Sequence, residues 1–219
     1  CERERTADGE AGYVSASNGN DPLDWVELND GEPVLTSTLG EKGLRDPFII
    51  RSPEGDRFFL LATDLRIYGG NNFGNAQERG SRALMIWEST DLVHWSDQRM
   101  VTVSSAYAGN TWAPEAFWDA QRGEYIVYWA SALYPTTSTD GRRIADSYQR
   151  MMYATTRDFV TFSEPQVWID EKRGNGLGMI DSSIVEHEGT DYRFPKDEAS
   201  MSPRLAQSAA LRATAWARG

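Results

Sequence analysis

The chain of 219 residues contains little cysteine, few basic residues and no long apolar run. Its single cysteine is Cys1, which excludes an internal disulfide framework and a metal site built from cysteine pairs. The net charge of −11 argues against nucleic acid as a partner, because phosphate binding needs clustered Lys and Arg. No segment approaches the roughly 20 apolar residues of a membrane span, so we expect no membrane partner.

The two ends of the chain differ in composition from the part between them. The chain begins with Cys rather than Met and shows no signal peptide. Residues 1–10 are polar and without periodicity, and we expect them to be disordered. Residues 199–219 are rich in alanine and contain no acid, so we expect a tail that does not match the domain before it and holds no third or fourth strand. The remaining 11–198 form the predicted domain.

Aromatic residues and turn formers are plentiful. Eight Trp, nine Tyr and eight Phe occur together with 19 Gly and 9 Pro, which is typical of a turn-rich all-β protein. Aromatic rings also suit carbohydrate recognition, because the C–H face of a sugar packs against a ring.

Three segments each begin with a carboxylate, continue as a short apolar run and turn back through a glycine-bearing loop. They begin at Asp46, Glu115 and Asp181, so the steps are 69 and 66 residues. A repeat of this length with β-type content predicts a propeller, whose innermost strands surround a common axis. The three carboxylates would meet at that axis, and clustered carboxylates in a cleft are the working groups of sugar-cleaving enzymes.

A second marker repeats with nearly the same period. Asp21–Trp25, Asp91–Trp95 and Asp158–Phe162 each pair an Asp with an aromatic residue four positions later, and the aromatic steps are 70 and 67 residues. A pair of β-sandwiches with similar hairpins is the alternative. Since a closed propeller needs about four blades or more, the sequence predicts an incomplete propeller of about three blades. The long loops at 64–80 and 132–148 are predicted to form a functional rim.

Four motifs in this order resemble glycoside hydrolase family 43, whose members include α-L-arabinofuranosidases, β-xylosidases and endo-arabinanases. The motifs are Gly43-Leu-Arg-Asp-Pro-Phe-Ile-Ile-Arg51, Trp87-Glu-Ser-Thr-Asp-Leu-Val-His-Trp95, Asn110-Thr-Trp-Ala-Pro-Glu-Ala-Phe117 and Gly178-Met-Ile-Asp-Ser-Ser-Ile184. The resemblance implies a five-bladed propeller that hydrolyses glycosidic bonds with inversion.

The resemblance also implies catalytic roles. Asp46 matches the general base, and Asp181 matches the Asp that orients the general acid and tunes its pKa. The general acid of the family is a Glu in a Glu-Gly-Pro element about one blade further on. We therefore expect this chain to be truncated at its C-terminal end and to lack that residue.

Three more residues are predicted to bind substrate. Glu115 lines the pocket or has a purely structural, hydrogen-bonded role. Trp112 is a sugar-stacking platform or a residue that packs between blades. Arg45 pairs with a carboxylate, which is either Asp46 or another. We expect no cofactor and no metal site, although the intact family fold can hold a structural calcium.

The leading hypothesis is an inverting hydrolase that cleaves α-L-arabinofuranosyl or β-D-xylosyl linkages in plant polysaccharides such as arabinan and arabinoxylan. Such a protein would be secreted or extracellular. Two alternatives remain, namely a non-catalytic carbohydrate-binding propeller and an inactive gene fragment.

Overall fold

The structure, a computed structural model, describes residues 6–213 and 217–218, and in this part of the chain the fold is all-β as predicted. The single α-helix among the described residues, α1, is Phe73–Arg79. Short 3₁₀ turns occur at Asn29–Gly31 and Ile144–Asp146. The strands are β1 Ser15–Ser17, β2 Trp25–Glu27, β3 Leu44–Arg51, β4 Phe58–Asp64, β5 Ala83–Ser89, β6 Arg99–Thr102, β7 Trp112–Asp119, β8 Glu124–Ala132, β9 Gln149–Thr156, β10 Gln166–Ile169, β11 Met179–His187, β12 Thr190–Asp197, β13 Ser202–Pro203, β14 Ala206–Ser208 and β15 Ala217–Arg218.

The strands form three successive blade-like sheets. Strands β3 to β6 form the first four-stranded antiparallel sheet, and β7 to β10 form the second with the same strand order. The third contains β11, β12, β14 and β15, with β13 paired to β12, while β1 and β2 form a separate two-stranded sheet. The predicted incomplete propeller of about three blades is confirmed, and the described strands do not close into a ring.

Apolar side chains hold adjacent blades together. One buried cluster between the first two sheets includes Leu61, Ile86 and Trp129, none of which is exposed. Burying side chains of this size contributes about 1.5–3 kcal/mol each. The Trp129 indole N–H donates to Ser104 Oγ at 2.8 Å, so its polar group is satisfied inside the core. A second cluster, centred on Trp168, joins the second sheet to the third.

The second sequence marker is a repeated turn between the third and fourth strands of a blade. In both Asp91 and Asp158, the carboxylate Oδ1 accepts the backbone N–H groups two and three residues further on, at 2.9 and 2.8 Å. The hydroxyls of Ser89 and Thr156 also accept backbone N–H groups in these turns. The aspartates therefore fix the turn, which explains their regular spacing.

The segment after residue 198 holds strands that the sequence analysis did not expect. Strands β13 and β14 pair with β12, and β15 pairs with β14. The expectation that the third blade has no third strand after residue 198 is therefore wrong. Backbone pairing needs no alternating apolar pattern, which is why composition did not reveal these strands. Arg212 donates to Glu124 at 2.7 Å and so contacts the second sheet. The boundary at residue 198 stays a prediction.

The N-terminal segment was expected to be disordered over 1–10, but Glu10 is buried. Residues 1–5 lie outside the described part of the chain. The Glu10 carboxylate accepts the backbone N–H groups of Ile67 and Tyr68 at 2.8 and 3.1 Å. It also forms an ion pair with Arg45, so three donors surround the carboxylate. The expectation of disorder is therefore wrong at Glu10.

Candidate active site

The innermost strands of the three blades begin with the same backbone geometry. Asp46, Ala113 and Asp181 have φ angles of 46°, 48° and 47°, in the left-handed region that non-glycine residues rarely adopt. At each of these positions the pairing with the second strand of the blade shifts register. Such a bulge redirects side chains, and here it does so at the same place in every blade.

This geometry corrects the alignment of the sequence repeat. The residue of the second blade that corresponds to Asp46 and Asp181 is Ala113, at steps of 67 and 68 residues, whereas Glu115 lies two positions later and corresponds to Phe48. In the sequence the segments align by their acids, but the backbone bulge sets the true correspondence. A proline directly follows both Asp46 and Ala113, and aligning the segments by these prolines gives the correct correspondence.

The structure brings the three sequence-predicted acids into one open cavity of about 260 Å³. Residues from the start of all three inner strands line it: Asp46, Pro47, Phe48, Ala113, Pro114, Glu115, Asp181 and Ser183. The loops predicted as a rim, 64–80 and 132–148, leave the second strands of the first two blades at the same end. Far-apart residues therefore converge as the repeat predicted.

Asp46 is held by the neighbouring strand and by the next blade. Its Oδ2 accepts a hydrogen bond from Thr63 Oγ1 at 3.0 Å, and the same hydroxyl oxygen accepts the backbone N–H of Ala113 at 2.8 Å. Solvent reaches Asp46 through the open side of the cavity, yet the protein atoms around it raise the pKa of its carboxyl by desolvation. The charge of Asp181 adds to this rise in pKa, and Thr63 opposes it.

Asp181 has a cationic partner that the sequence analysis missed. Lys196 Nζ lies 2.9 Å from Asp181 Oδ2, and its positive charge also acts to lower the pKa of Asp46. Thr63 and Lys196 occupy corresponding positions on the second strands of their blades, opposite the residue that precedes each bulge. The second blade has Ala130 at this position. Only the strand register reveals these partners, because they are far from the acids in sequence.

Glu115 connects the second blade to the third. Its two carboxylate oxygens accept hydrogen bonds from the Tyr128 hydroxyl at 3.0 Å and from Ser183 Oγ at 2.7 Å. Burial raises the pKa of Glu115, the charge of Asp181 raises it further, and the two hydroxyl donors oppose the shift. The two interpretations left open by the sequence are therefore compatible, since Glu115 lines the cavity and is hydrogen-bonded.

Arg45 and Trp112 lie beside the cavity and are not among its lining residues. Arg45 Nη1 forms an ion pair of 2.9 Å with Glu10 Oε1. A carboxylate partner of Arg45 is therefore Glu10, which was not named from the sequence. Trp112 is half-buried and packs against the second core cluster. Binding of substrate by Arg45, Trp112 and Glu115 stays a prediction.

No group of three or more His, Cys, Asp or Glu side chains in residues 6–213 and 217–218 is arranged to hold a metal ion. His94 Nδ1 instead lies 2.7 Å from Asp91 Oδ2. Within the same part of the chain, no helix is long and apolar enough to span a membrane. The expectation of no cofactor and no metal site stays a prediction.

Known proteins resemble this chain in sequence and in fold. A family described as "Probable glycosyl hydrolase domain" and related to glycoside hydrolase family 43 matches residues 2–219. An α-L-arabinofuranosidase of Bifidobacterium longum subsp. longum is 38% identical in an alignment 200 residues long that covers 87% of this chain. The chain spans only 18% of the length of that curated relative.

Two solved structures show the fold alone. The α-L-arabinanase of Penicillium chrysogenum, in complex with arabinobiose, matches 95% of this chain and 59% of its own, with a TM-score of 0.62 at 15% identity. A family 93 α-L-arabinofuranosidase of Fusarium graminearum, also with arabinobiose, matches 94% of this chain and 54% of its own, with a TM-score of 0.56 at 18% identity.

Proposed function

The chain belongs to the family of glycosyl hydrolase domains related to glycoside hydrolase family 43, and from this we propose that it hydrolyses α-L-arabinofuranosyl or β-D-xylosyl linkages with inversion. The observation that supports the proposal most is the convergence of Asp46, Glu115 and Asp181 in one open cavity. Inverting glycosidases need two carboxyl groups on opposite sides of the scissile bond, with room for a water molecule.

Asp46 is the proposed general base. A base must be ionised, must be reachable by water and must be held in a fixed position. The hydrogen bond from Thr63 favours the ionised form and fixes the orientation of the carboxylate. The open side of the cavity gives water access to it. Because desolvation by the surrounding protein atoms raises its pKa, Asp46 is a stronger base than a fully solvated aspartate.

Asp181 is the proposed group that tunes the general acid. Its ion pair with Lys196 holds the carboxylate in place. Glu115 is a poor candidate for the acid, because the hydroxyls of Tyr128 and Ser183 already occupy both of its oxygens, even though burial raises its pKa. The resemblance instead assigns the acid to a Glu-Gly-Pro element, which residues 1–219 do not contain. We propose that this chain supplies the base and the tuning aspartate.

The substrate is proposed to be a plant polysaccharide with pentose side chains, such as arabinan or arabinoxylan. The curated relative is an α-L-arabinofuranosidase, which favours the arabinofuranosyl linkage over the xylosyl one. Polymers of this kind lie outside the cell, so we propose that the protein is secreted or extracellular.

The experiment measures hydrolysis of 4-nitrophenyl α-L-arabinofuranoside and 4-nitrophenyl β-D-xyloside by the full-length protein. Replacing Asp46 by Asn should lower kcat by about 10²–10⁴-fold, because general base catalysis is lost. The unfolding temperature should stay almost unchanged. Proton NMR of the first product should show the inverted anomer. Asp97→Asn is the matched control, because Asp97 is exposed in the turn between β5 and β6 and does not line the cavity.

Two results would contradict the proposal. Full activity of Asp46→Asn would remove Asp46 from the role of base. If both aryl glycosides are untouched while arabinan still binds, the protein is a carbohydrate-binding propeller and not a hydrolase.

A further inference from the structure

An exposed aromatic ring lies on a loop at the cavity end of the first blade. Phe73 is the first residue of α1, within the loop that follows the second strand of the first blade. Its side chain is 45% exposed, although it is large and apolar. Single exposed apolar residues are common on protein surfaces. Exposure alone therefore assigns no role to Phe73, and its contacts show where the ring lies.

Phe73 contacts two residues that directly precede cavity-lining positions. The guanidinium carbon of Arg45 lies over the ring at 5.1 Å from its centroid. The Trp112 ring stands nearly perpendicular to it, at 87°, with the centroids 6.3 Å apart. Asp46 follows Arg45 and Ala113 follows Trp112, and both line the cavity. The ring thus lies beside the first and second inner strands, one residue along the chain from cavity-lining positions on each.

The helix that carries Phe73 is fixed by contacts on its other side. Asn72 caps it by accepting a backbone N–H three residues later at 2.8 Å. Gln77 Nε2 donates to the carbonyl oxygen of Gly176 at 2.8 Å, and Glu78 Oε1 accepts the backbone N–H of Ile144 at 2.9 Å. Two other loops, one within the second blade and one between the second and third, therefore hold α1 in place. A ring that is already positioned loses little conformational freedom when a ligand binds.

We propose that the Phe73 ring is a binding platform for the sugar unit adjacent to the cleaved pentose in an oligosaccharide chain. The inference rests on the proposed function. One face of the ring is covered by Arg45, and the exposed part is free to pack against the C–H face of a pentose ring. Phe73, rather than the half-buried Trp112 predicted from sequence, is then the stacking residue of the rim.

The test is isothermal titration calorimetry with α-1,5-linked arabinotetraose, β-1,4-linked xylotetraose and arabinose. The full-length protein carries Asp46→Asn, so that no ligand is consumed. Phe73→Ala should weaken binding of the better tetrasaccharide about tenfold, which corresponds to about 1.4 kcal/mol. Binding of arabinose should not change, because a single sugar does not reach the platform. Phe73→Trp should restore tetrasaccharide binding.

A control separates this site from general stacking on exposed aromatic rings. Trp25 is 57% exposed and does not line the cavity, so Trp25→Ala should leave all three dissociation constants unchanged. Unfolding curves of Phe73→Ala should match those of the parent.

Three results would overturn the inference. The first is equal tetrasaccharide affinity of the Asp46→Asn parent and its Phe73→Ala variant. The second is that neither of these two proteins binds a tetrasaccharide. The third is that Phe73→Ala weakens the binding of arabinose as much as that of the tetrasaccharide. Release of 4-nitrophenol from the aryl arabinofuranoside by the protein with Asp46 intact reports on the proposed function independently. Hydrolysis together with any of these three results would reject the platform and leave the proposed function standing.

Discussion

Replacing Thr63 by Val should move the pH dependence of catalysis in a direction set by one hydroxyl group. Thr63 is fully buried and makes two hydrogen bonds, one to the Asp46 carboxylate and one from the Ala113 backbone N–H. Valine has nearly the same shape but neither donates nor accepts. The substitution therefore removes a bond that favours ionised Asp46 and leaves the Ala113 N–H without its acceptor.

The two lost hydrogen bonds change two different quantities, the pKa of Asp46 and the free energy of unfolding. A hydrogen bond to a charged group contributes about 1.5–3 kcal/mol, and one pKa unit corresponds to about 1.36 kcal/mol. Solvent screens Asp46 from the open side of the cavity, so we expect its pKa to rise by about 0.5–1 unit. The Ala113 N–H is only partly buried, so its lost bond should lower the free energy of unfolding by about 1 kcal/mol.

The assay is the pH profile of kcat/KM for the full-length protein on 4-nitrophenyl α-L-arabinofuranoside. Since the base must be ionised, a higher pKa of Asp46 moves the acid limb to higher pH. Thr63→Ser keeps the hydroxyl and should keep the profile. Thr111→Val is the second control, because Thr111 is also buried and bonds Ser104 rather than a cavity acid. An acid limb of Thr63→Val that stays in place or moves to lower pH would refute the reasoning.

Three further predictions concern charge and packing. Lys196→Met should also move the acid limb of the pH profile to higher pH, because it removes a positive charge that lowers the pKa of Asp46. The shift should be less than about one unit, since Lys196 is partly exposed, and Lys196→Arg should cause none. A shift to lower pH would show that Lys196 does not act on Asp46. Gly178→Ala should lower the free energy of unfolding in urea by about 3 kcal/mol or more, because a Cβ there would lie 1.8 Å from the Gln149 carbonyl oxygen; an unchanged midpoint would exclude this close approach. Leu61→Ala should cost about 2–5 kcal/mol in the same measurement, and a smaller loss would mean that the interface between the first two blades collapses around the cavity left behind.

The fold was predictable because its signals are local and repeat. The Asp91 and Asp158 turns each need a side chain that can bond the backbone two and three residues later, so the aspartates recur wherever the turn recurs. The strands after residue 198 carry no such signal. They pair through backbone groups alone, and sequence composition cannot show where a chain finds a free strand edge.

The acids that converge in the cavity were predictable from the sequence, and the residues that support them were not. The acids stand in recognisable motifs on the inner strands. Thr63 and Lys196 come from second strands, and their contact with the acids depends on a register that includes a bulge. Matching Glu115 to Asp46 by residue type missed this bulge. The burial of Glu10 was equally invisible, since its donors lie 35 to 58 residues away in sequence.

The two alanines of the second blade, Ala113 and Ala130, stand where the other blades place an acid and its hydrogen-bonding partner. Ala113 lines the cavity together with Pro47, Phe48 and Pro114, and these residues give the cavity an apolar surface beside its acids. A hydroxyl turned toward that surface would lose its water without gaining a new acceptor, at a cost of about 1–3 kcal/mol. A sugar that binds in this cavity should therefore favour the orientation that places its hydroxyls toward the acids and its C–H groups toward the apolar residues.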